Sequence, residues 1–280
     1  MLLAMSTENP FGHLVNEAPI TPAETRRELF TNAKRGYARI QKNFVQNPER
    51  VENRGSVLGK MVTDRKERAL ELLLTIHALE PILEGSPLPI GTWARLLSSE
   101  KRPCSSRTIR EALRYLSGAN LLQVPGQGES PEIVLLREDG SGRPPLKTGA
   151  ALPAETQGNG FFTIPFTFWT EGHIDTLRLP GKAMLLMMLR DTNDPKGKTT
   201  FTVPVERAQA WYGISERTAE RGYGELSRHG LIASHVQKVA DARSPVGYRA
   251  VHHRALLGDY STAHREQLRK EANAAAKAKG

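Results

Sequence analysis

An internal repeat constrains the fold of this chain more than any other feature of its sequence. Residues 105–122 have the sequence SSRTIREALRYLSGANLL, and residues 215–232 have the sequence SERTAERGYGELSRHGLI. At a constant offset of 110 residues, six of the eighteen positions are identical, including the Ser-x-Arg-Thr that starts each segment. Because a fixed period is the mark of a duplicated structural unit, the repeat predicts two similar units in one chain.

The same order of predicted elements surrounds both copies of the repeat. Before each copy, apolar residues at helical spacing predict a long helix and then a short one. These predicted helices cover residues 65–79 and 90–97 in the first unit, and 182–190 and 205–212 in the second. After each copy come two strand-like runs joined by a loop that contains glycine and proline. They cover residues 121–124 and 132–136, and then 232–239 and 248–256.

Each repeated segment is predicted to form an amphipathic helix. At 100° per residue, the apolar face consists of Ile109, Ala112, Leu113 and Leu116 in the first copy and of Ala219, Gly222, Tyr223 and Leu226 in the second. The opposite face carries Arg107, Arg110, Glu111 and Arg114 in the first copy and Arg217, Glu220, Arg221 and Gly224 in the second. Ser105 and Ser215 stand at the N-cap position, where a serine oxygen accepts a backbone N–H. A helix anchored and capped in this way can present its first two turns to a major groove.

With these features the chain resembles the winged helix-turn-helix DNA-binding superfamily, in two tandem copies. Ser-x-Arg-Thr, then Leu-Ser, then Leu-Leu or Leu-Ile is similar to the recognition-helix signature of that family. Ser227-Arg-His-Gly230-Leu-Ile is similar to the turn that leads such a helix into the wing. The first copy departs from the pattern where Asn120 stands near the usual glycine. The second departs where Gly222 and Gly224 each cost a helix about 1 kcal/mol.

The resemblance implies a set of DNA contacts. In such proteins the third helix enters the major groove, and the hairpin loop lies against the DNA backbone or minor groove. Carried over by position, the contacts are Ser106, Arg107, Arg110 and Arg114 in the first copy, and Ser215, Arg217, Thr218 and Arg221 in the second, with Lys238 and Arg243 at its wing. Arginine suits bidentate contact with guanine, while serine and threonine suit phosphates. The alternative is that these residues form ordinary solvated helix faces.

A second resemblance is looser and concerns the start of the second unit. The segment Phe161-Phe-Thr-Ile-Pro-Phe-Thr-Phe-Trp169, followed by a leucine-rich helix, is similar to the entry into winged-helix domains of plasmid replication initiators. The alternative interpretation is purely structural. In that case Phe161, Phe166 and Trp169 pack on Leu185 and Leu189 whatever the function.

The net charge agrees with a polyanionic partner. Lys and Arg number 39 and Asp and Glu 30, which gives a net charge of +9. Residues 22–66 hold 11 basic and 5 acidic residues, two-thirds of that surplus. The spacing of Leu29, Ala33, Tyr37, Ile40 and Phe44 predicts one basic amphipathic helix there. Such a helix either docks on a partner subunit in a homodimer or packs on the first unit.

Composition sets the predicted domain boundaries. Residues 138–160 hold five glycines, three prolines and no aromatic residue, as a linker or exposed loop does. The predicted fold is mainly α with small β-hairpin wings, an α+β class. Its parts are a disordered tail (1–21), a basic helical arm (22–63), a first winged-helix domain (64–138), a linker (139–160), a second winged-helix domain (161–258) and a basic C-terminal helix or tail (259–280).

Motifs for catalysis and for cofactor or metal binding fail on their spacing. Asp194-Pro-Lys-Gly197-Lys198-Thr199 lacks the first glycine of a phosphate-binding loop, because Thr192 stands at that position. His252 and His253 are adjacent, so on a strand they point to opposite faces and do not readily share a metal ion. The His-x-His of nickases and the His-x-x-Arg of tyrosine recombinases are absent from the sequence. A single cysteine, Cys104, excludes an intramolecular disulfide and a cysteine-rich zinc site.

The sequence therefore predicts a non-catalytic, sequence-specific protein that binds double-stranded DNA. The first hypothesis is a transcription regulator, and the alternative is a replication initiator of a plasmid or mobile element. A third hypothesis is a scaffold that uses winged helices for protein contacts. The longest apolar run, residues 183–189, is too short to cross a bilayer, and the N-terminus has too short an apolar core for a signal peptide. We therefore expect a cytoplasmic, nucleoid-associated protein without a membrane partner.

Overall fold

A computed structural model of the chain describes residues 17–33, 35–47, 55–83, 86–126, 128–145, 160–193 and 199–278. Within these ranges the fold mixes α-helices with three antiparallel sheets of two strands each, which agrees with the predicted α+β class. None of the described helices is long and apolar enough to cross a membrane. The phosphate-loop-like residues 194–198 lie outside the described residues, as do residues 1–16 of the predicted tail.

The described residues form two units with a similar order of elements, although two short α-helices lie between the first strand and the long helix of the second unit and one lies there in the first. Helix α1 (Pro22–Asn32) precedes the first unit, which consists of β1 (Tyr37–Gln41), α2 (Val57–Thr63), α3 (Glu67–Leu83), α4 (Ile90–Leu96), α5 (Ser106–Gly118), β2 (Leu122–Gln123) and β3 (Val134–Leu135). The second unit consists of β4 (Phe161–Pro165), α6 (Thr167–Thr170), α7 (His173–Thr176), α8 (Leu179–Asp191), α9 (Ala208–Tyr212), α10 (Glu216–Arg228), β5 (Ile232–Ala240) and β6 (Tyr248–Leu256), and α11 (Thr262–Lys277) follows it. The predicted sequence of three helices and a hairpin is confirmed in both units.

The long helices α3 and α8 are largely buried. Nearly every residue of α8 is buried, as is typical of a helix that is apolar all round. The buried side chains of both units belong to one continuous apolar core, which includes Leu73 of α3, Leu116 of α5, Leu185 of α8 and Leu226 of α10. The two units are therefore packed together and not separated by solvent.

The prediction of one helix through Leu29, Ala33, Tyr37, Ile40 and Phe44 is wrong beyond α1. The helix starts as predicted, with Thr21 and Glu24 forming a reciprocal capping box. It ends at Asn32, and Gly36 then takes a φ of +78°, a turn conformation that favours glycine. Residues 37–41 continue as strand β1, which pairs antiparallel with β4 over five residues. Both faces of this strand are buried, and its apolar residues therefore happen to have the spacing of a helix.

Helix α1 packs on its own chain. The Phe30 ring stacks on Trp169, with centroids 5.0 Å apart, and meets Phe166 edge-on at 4.9 Å. Arg26 is buried and forms an ion pair of 2.6 Å with Asp175 of α7. Part of the predicted basic surplus is therefore used inside the molecule, and the apolar face of α1 is covered without a second subunit.

The other predicted flanks are partly structured. Residues 146–159 of the predicted linker lie outside the described residues, whereas Glu138 is buried against the backbone N–H of Gln41. At the C-terminus, α11 is a mostly exposed helix with two buried residues, Thr262 and Arg265. Arg265 donates to the carbonyl oxygens of Leu189 and Thr192 at the end of α8, at 3.1 and 3.3 Å. A cation at this helix end complements the helix dipole.

Two buried titratable groups meet beneath β1. Nδ1 of His77 lies 3.9 Å from Oε1 of Glu138. Burial, with a smaller contribution from Arg35, lowers the pKa of His77 to about 4, and burial raises the pKa of Glu138 to about 7. Between about pH 4 and pH 7 the contact is therefore between two neutral groups.

The Glu138→Gln variant is expected to be more stable than the wild type above pH 7, by an upper limit of about 3 kcal/mol. A raised carboxyl pKa makes the wild type lose stability as pH rises from 4.5 to about 7. His77 has the opposite effect and costs stability as pH falls from 6.5 to about 4. Of these two pH dependences, the variant should keep only that of His77. Urea unfolding between pH 4 and 8 measures the free energy of unfolding. The exposed Glu132→Gln is the matched control, and an unchanged pH profile in the Glu138 variant would contradict the assignment.

Candidate nucleic-acid interface

Helix α5 is anchored on one face and capped at its start, as predicted. The Ser105 hydroxyl accepts the backbone N–H of Thr108 at 3.2 Å, and the two side-chain oxygens lie 2.9 Å apart. The predicted apolar face is confirmed, because Ile109, Ala112, Leu113 and Leu116 are all buried. The helix is therefore fixed against α3 and α4, and its other face is left to solvent.

Helix α10 repeats this arrangement in the second unit. The Ser215 hydroxyl accepts the backbone N–H of Thr218 at 3.3 Å, and its oxygen lies 2.9 Å from that of Thr218. Ala219, Gly222, Tyr223 and Leu226 are buried, which confirms the predicted face. Helix capping thus explains the serine and the threonine of the two identical Ser-x-Arg-Thr motifs. The arginine between them takes no part in the cap.

The turns that follow the two helices are also equivalent. Leu121 N–H donates to the Leu116 carbonyl at 3.0 Å, and Leu231 N–H donates to the Leu226 carbonyl at 2.9 Å. Asn120 and Gly230 precede these leucines with φ of +57° and +67°. Asparagine tolerates this left-handed conformation, which explains the departure from glycine in the first copy.

The predicted DNA contacts on the two helices lie largely on exposed surfaces. Arg107, Arg110, Arg114, Arg217 and Arg221 are exposed, whereas Ser106 and Thr218 are partly buried. Ser215 is exposed, but its hydroxyl is occupied by the cap. The Arg107 side chain is 89% exposed and pairs with Glu111 at 2.9 Å, one turn along the helix. An exposed pair of this kind is worth less than 1 kcal/mol, so the guanidinium can exchange Glu111 for a phosphate or base at little cost.

The two hairpins differ in length. Strands β5 and β6 pair over nine residues, an arm of roughly 30 Å, whereas β2 and β3 pair over two. Lys238 is exposed on β5, with its Nζ 4.7 Å from the centre of the Tyr248 ring. Arg243 is exposed in the loop at the tip, where its N–H donates to Asp241 Oδ1 at 2.9 Å. The second hairpin therefore carries basic side chains away from the core and beside α10.

Two buried features of α10 were missed in the sequence. The Glu225 carboxylate accepts the backbone N–H groups of Arg178 and Gly181, at 2.8 and 3.0 Å, and thereby satisfies free donors at the start of α8. Gly222 lies so close to α8 that a Cβ atom there would be 2.5 Å from the Pro180 carbonyl oxygen and 2.3 Å from Met184 Cγ. Gly222 thus lies where α8 and α10 approach each other too closely for a larger residue.

A buried ionic cluster joins the two units and was also missed. The fully buried Lys182 of α8 donates to Glu67 at 2.7 Å and to Glu71, both on α3. Arg102, in the turn that leads into α5, pairs with the same two carboxylates at 3.2 and 3.0 Å. Arg68 adds a contact of 2.8 Å to Glu71. The cluster therefore connects the segment before α5 with the long helix α8 of the other unit.

The residues weighed for other chemistry are dispersed. His252 faces Val236 and His253 faces His235 across the hairpin, so the two adjacent histidines lie on opposite faces as predicted. The described part of the chain contains no group of three or more His, Cys, Asp or Glu side chains placed to hold a metal ion. Burial raises the pKa of the Cys104 thiol, which favours the unreactive protonated form.

Comparison of the chain with protein-family models, with curated proteins and with solved structures finds no match. The interpretation of the two exposed helix faces therefore depends on their own geometry and charge.

Proposed function

We propose that this protein binds double-stranded DNA without catalysis, through two winged helix-turn-helix units. The observation that carries the proposal is the pair of equivalent helices α5 and α10. Each is held by a buried apolar face, starts at a serine cap and presents arginine on its first two exposed turns. Such a helix, followed by a hairpin, has the form needed to enter a major groove.

The surface chemistry of the two helices favours nucleic acid over a protein partner. The large hydrophobic side chains that are exposed within the described residues are Ile20, Val134, Trp211, Val236, Val246, Tyr248 and Leu257. None of them lies on α5 or α10. Protein interfaces have an apolar centre, whereas the exposed faces of these two helices carry charged side chains. Guanidinium groups on a helix suit phosphates and guanine edges.

The biological role we propose is that of a transcription regulator. A replication initiator of a plasmid or mobile element is the second candidate, and one observation favours it. Both units share one core, and α1 packs on its own chain, so two helices for DNA are available without dimerisation. Mapping of bound sites in the genome separates the roles, since promoters indicate a regulator and clustered repeats at one origin indicate an initiator.

Binding to random-sequence duplex DNA is expected to weaken steeply with salt. Each phosphate neutralised by Lys or Arg contributes about −0.9 to the slope of log K against log salt. With contacts from both helices and the long hairpin, we expect a slope steeper than about −3. Fluorescence anisotropy with a labelled duplex at 50–300 mM KCl measures it. A slope near zero, or no binding at low salt, would contradict the DNA proposal and would favour the hypothesis of a protein scaffold.

A further inference from the structure

The pairing of strand β1 with strand β4 indicates an approximate two-fold axis between the two units. Strands β1 and β4 are equivalent, because each is the first strand of its unit and packs on the long helix of that unit, α3 or α8. The two strands pair with each other antiparallel, with Arg39 opposite Thr163 at the centre. Equivalent segments that lie side by side and run in opposite directions are exchanged by a two-fold rotation.

Contacts between the units are reciprocal, as a two-fold axis requires. From the first unit, the Ser56 hydroxyl at the start of α2 donates to the Tyr212 carbonyl of the second unit at 3.3 Å. From the second unit, the Ile174 and Asp175 carbonyl groups of α7 accept from the Arg102 guanidinium of the first unit, both at 3.4 Å. In each case, a short helix between the first strand and the long helix of one unit contacts the segment that leads into α5 or α10 of the other.

The mutual orientation of the units is fixed by buried charge. Lys182 of one unit and Glu71 of the other are buried together, and Arg102 extends the cluster to the turn before α5. Separating these groups would leave charges unpaired inside the protein, which is strongly unfavourable. Helices α5 and α10 are therefore held in one relative position.

We infer that the DNA target of a single chain is an imperfect inverted repeat, an inference that depends on the proposed function. A two-fold arrangement of helices is mirrored in the orientation of the half-sites, with centres about 10 base pairs apart for adjacent major grooves. Arg107 and Arg217 occupy equivalent positions in the first helical turn, so the half-sites share the base pairs beneath that turn. Further along, Arg110 is replaced by Glu220 and Arg114 by Gly224, so the half-sites differ there.

The orientation is tested by selection of binding sites from a random duplex library with the full chain. The half-sites are assigned by the variants Arg107→Ala and Arg217→Ala, each of which should lose one of them. Duplexes that carry the two half-sites inverted, direct or everted at the selected spacing are then compared by anisotropy. We expect the inverted duplex to bind one chain, at least tenfold more tightly than the other two.

Tighter or equal binding to the direct repeat overturns the two-fold inference but leaves DNA binding intact. Two chains on one inverted site, measured by analytical ultracentrifugation, also overturn it. Absence of any enriched sequence, with no salt-dependent binding, refutes the proposed function itself.

A charge-reversing substitution tests whether the positions at which α5 and α10 differ make the two half-sites differ. Glu220 is exposed on α10 and equivalent to Arg110 on α5, so Glu220→Arg makes the two surfaces more alike without touching the core. The selected motif should then become more symmetric at the positions beneath the second turn. A motif unchanged from the wild type would overturn the assignment, provided that the variant unfolds at the same temperature as the wild type.

Discussion

Replacement of both Arg107 and Arg217 by alanine is expected to weaken binding to a selected DNA site by roughly 30-fold to 10⁴-fold. Each arginine in contact with a base edge is worth about 1–3 kcal/mol, and effects at separated sites add. The two residues are equivalent in the repeat, exposed, and placed one residue after the first residue of each helix. Anisotropy titrations with the single and double variants measure the loss.

The variant Arg27→Ala is the matched control, because Arg27 is an exposed arginine on another helix, α1. Its affinity should stay within about twofold of the wild type. The folding of the double variant should be unaffected, since the ion pair of Arg107 with Glu111 is exposed and weak. If the double variant bound like the wild type, α5 and α10 would not be the DNA-binding helices. Equal losses on selected and random duplexes would mean that the arginines contact phosphates only.

The second large effect is expected for Gly222→Ala, which should destabilise the protein by at least about 2 kcal/mol. An added methyl group would meet the Pro180 carbonyl oxygen and Met184 at 2.5 Å or less, so α8 and α10 would have to separate. Alanine is a better helix former than glycine, but that gain of about 1 kcal/mol is smaller than the cost of overpacking. Urea unfolding at pH 7 measures the difference.

Gly224→Ala provides the matched control within the same helix. Nothing lies within 4 Å of the position that a Cβ would take at Gly224, so only the helix-propensity term remains. This variant should be more stable than the wild type by up to about 1 kcal/mol. Equal effects of the two substitutions would contradict the close approach of α8 and α10.

Local patterns were sufficient to predict the helices that carry the candidate site. The apolar faces of α5 and α10 follow the helical period, and Ser105 and Ser215 cap them as their position before each helix indicates. The exposed arginines follow from the same geometry. Whether they contact DNA is a separate matter, which no local pattern decides.

The features that the sequence did not reveal depend on contacts between distant residues. The segment Tyr37–Gln41 has a helix-like spacing, but its partner strand, Phe161–Pro165, lies more than a hundred residues away and makes it a strand. Similarly, lysine and glutamate are usually exposed, but the fold buries Lys182 and Glu71 and pairs them across the two units. The need for glycine at position 222 also arises only from the neighbouring helix.

Protection of a selected DNA site from hydroxyl radicals is the most direct test of the central claim, that one chain uses α5 and α10 on DNA at the same time. The wild type should protect two patches about 10 base pairs apart on one side of the duplex. Arg107→Ala should lose one patch and Arg217→Ala the other. A single patch, or two patches that both variants keep in full, would contradict the account.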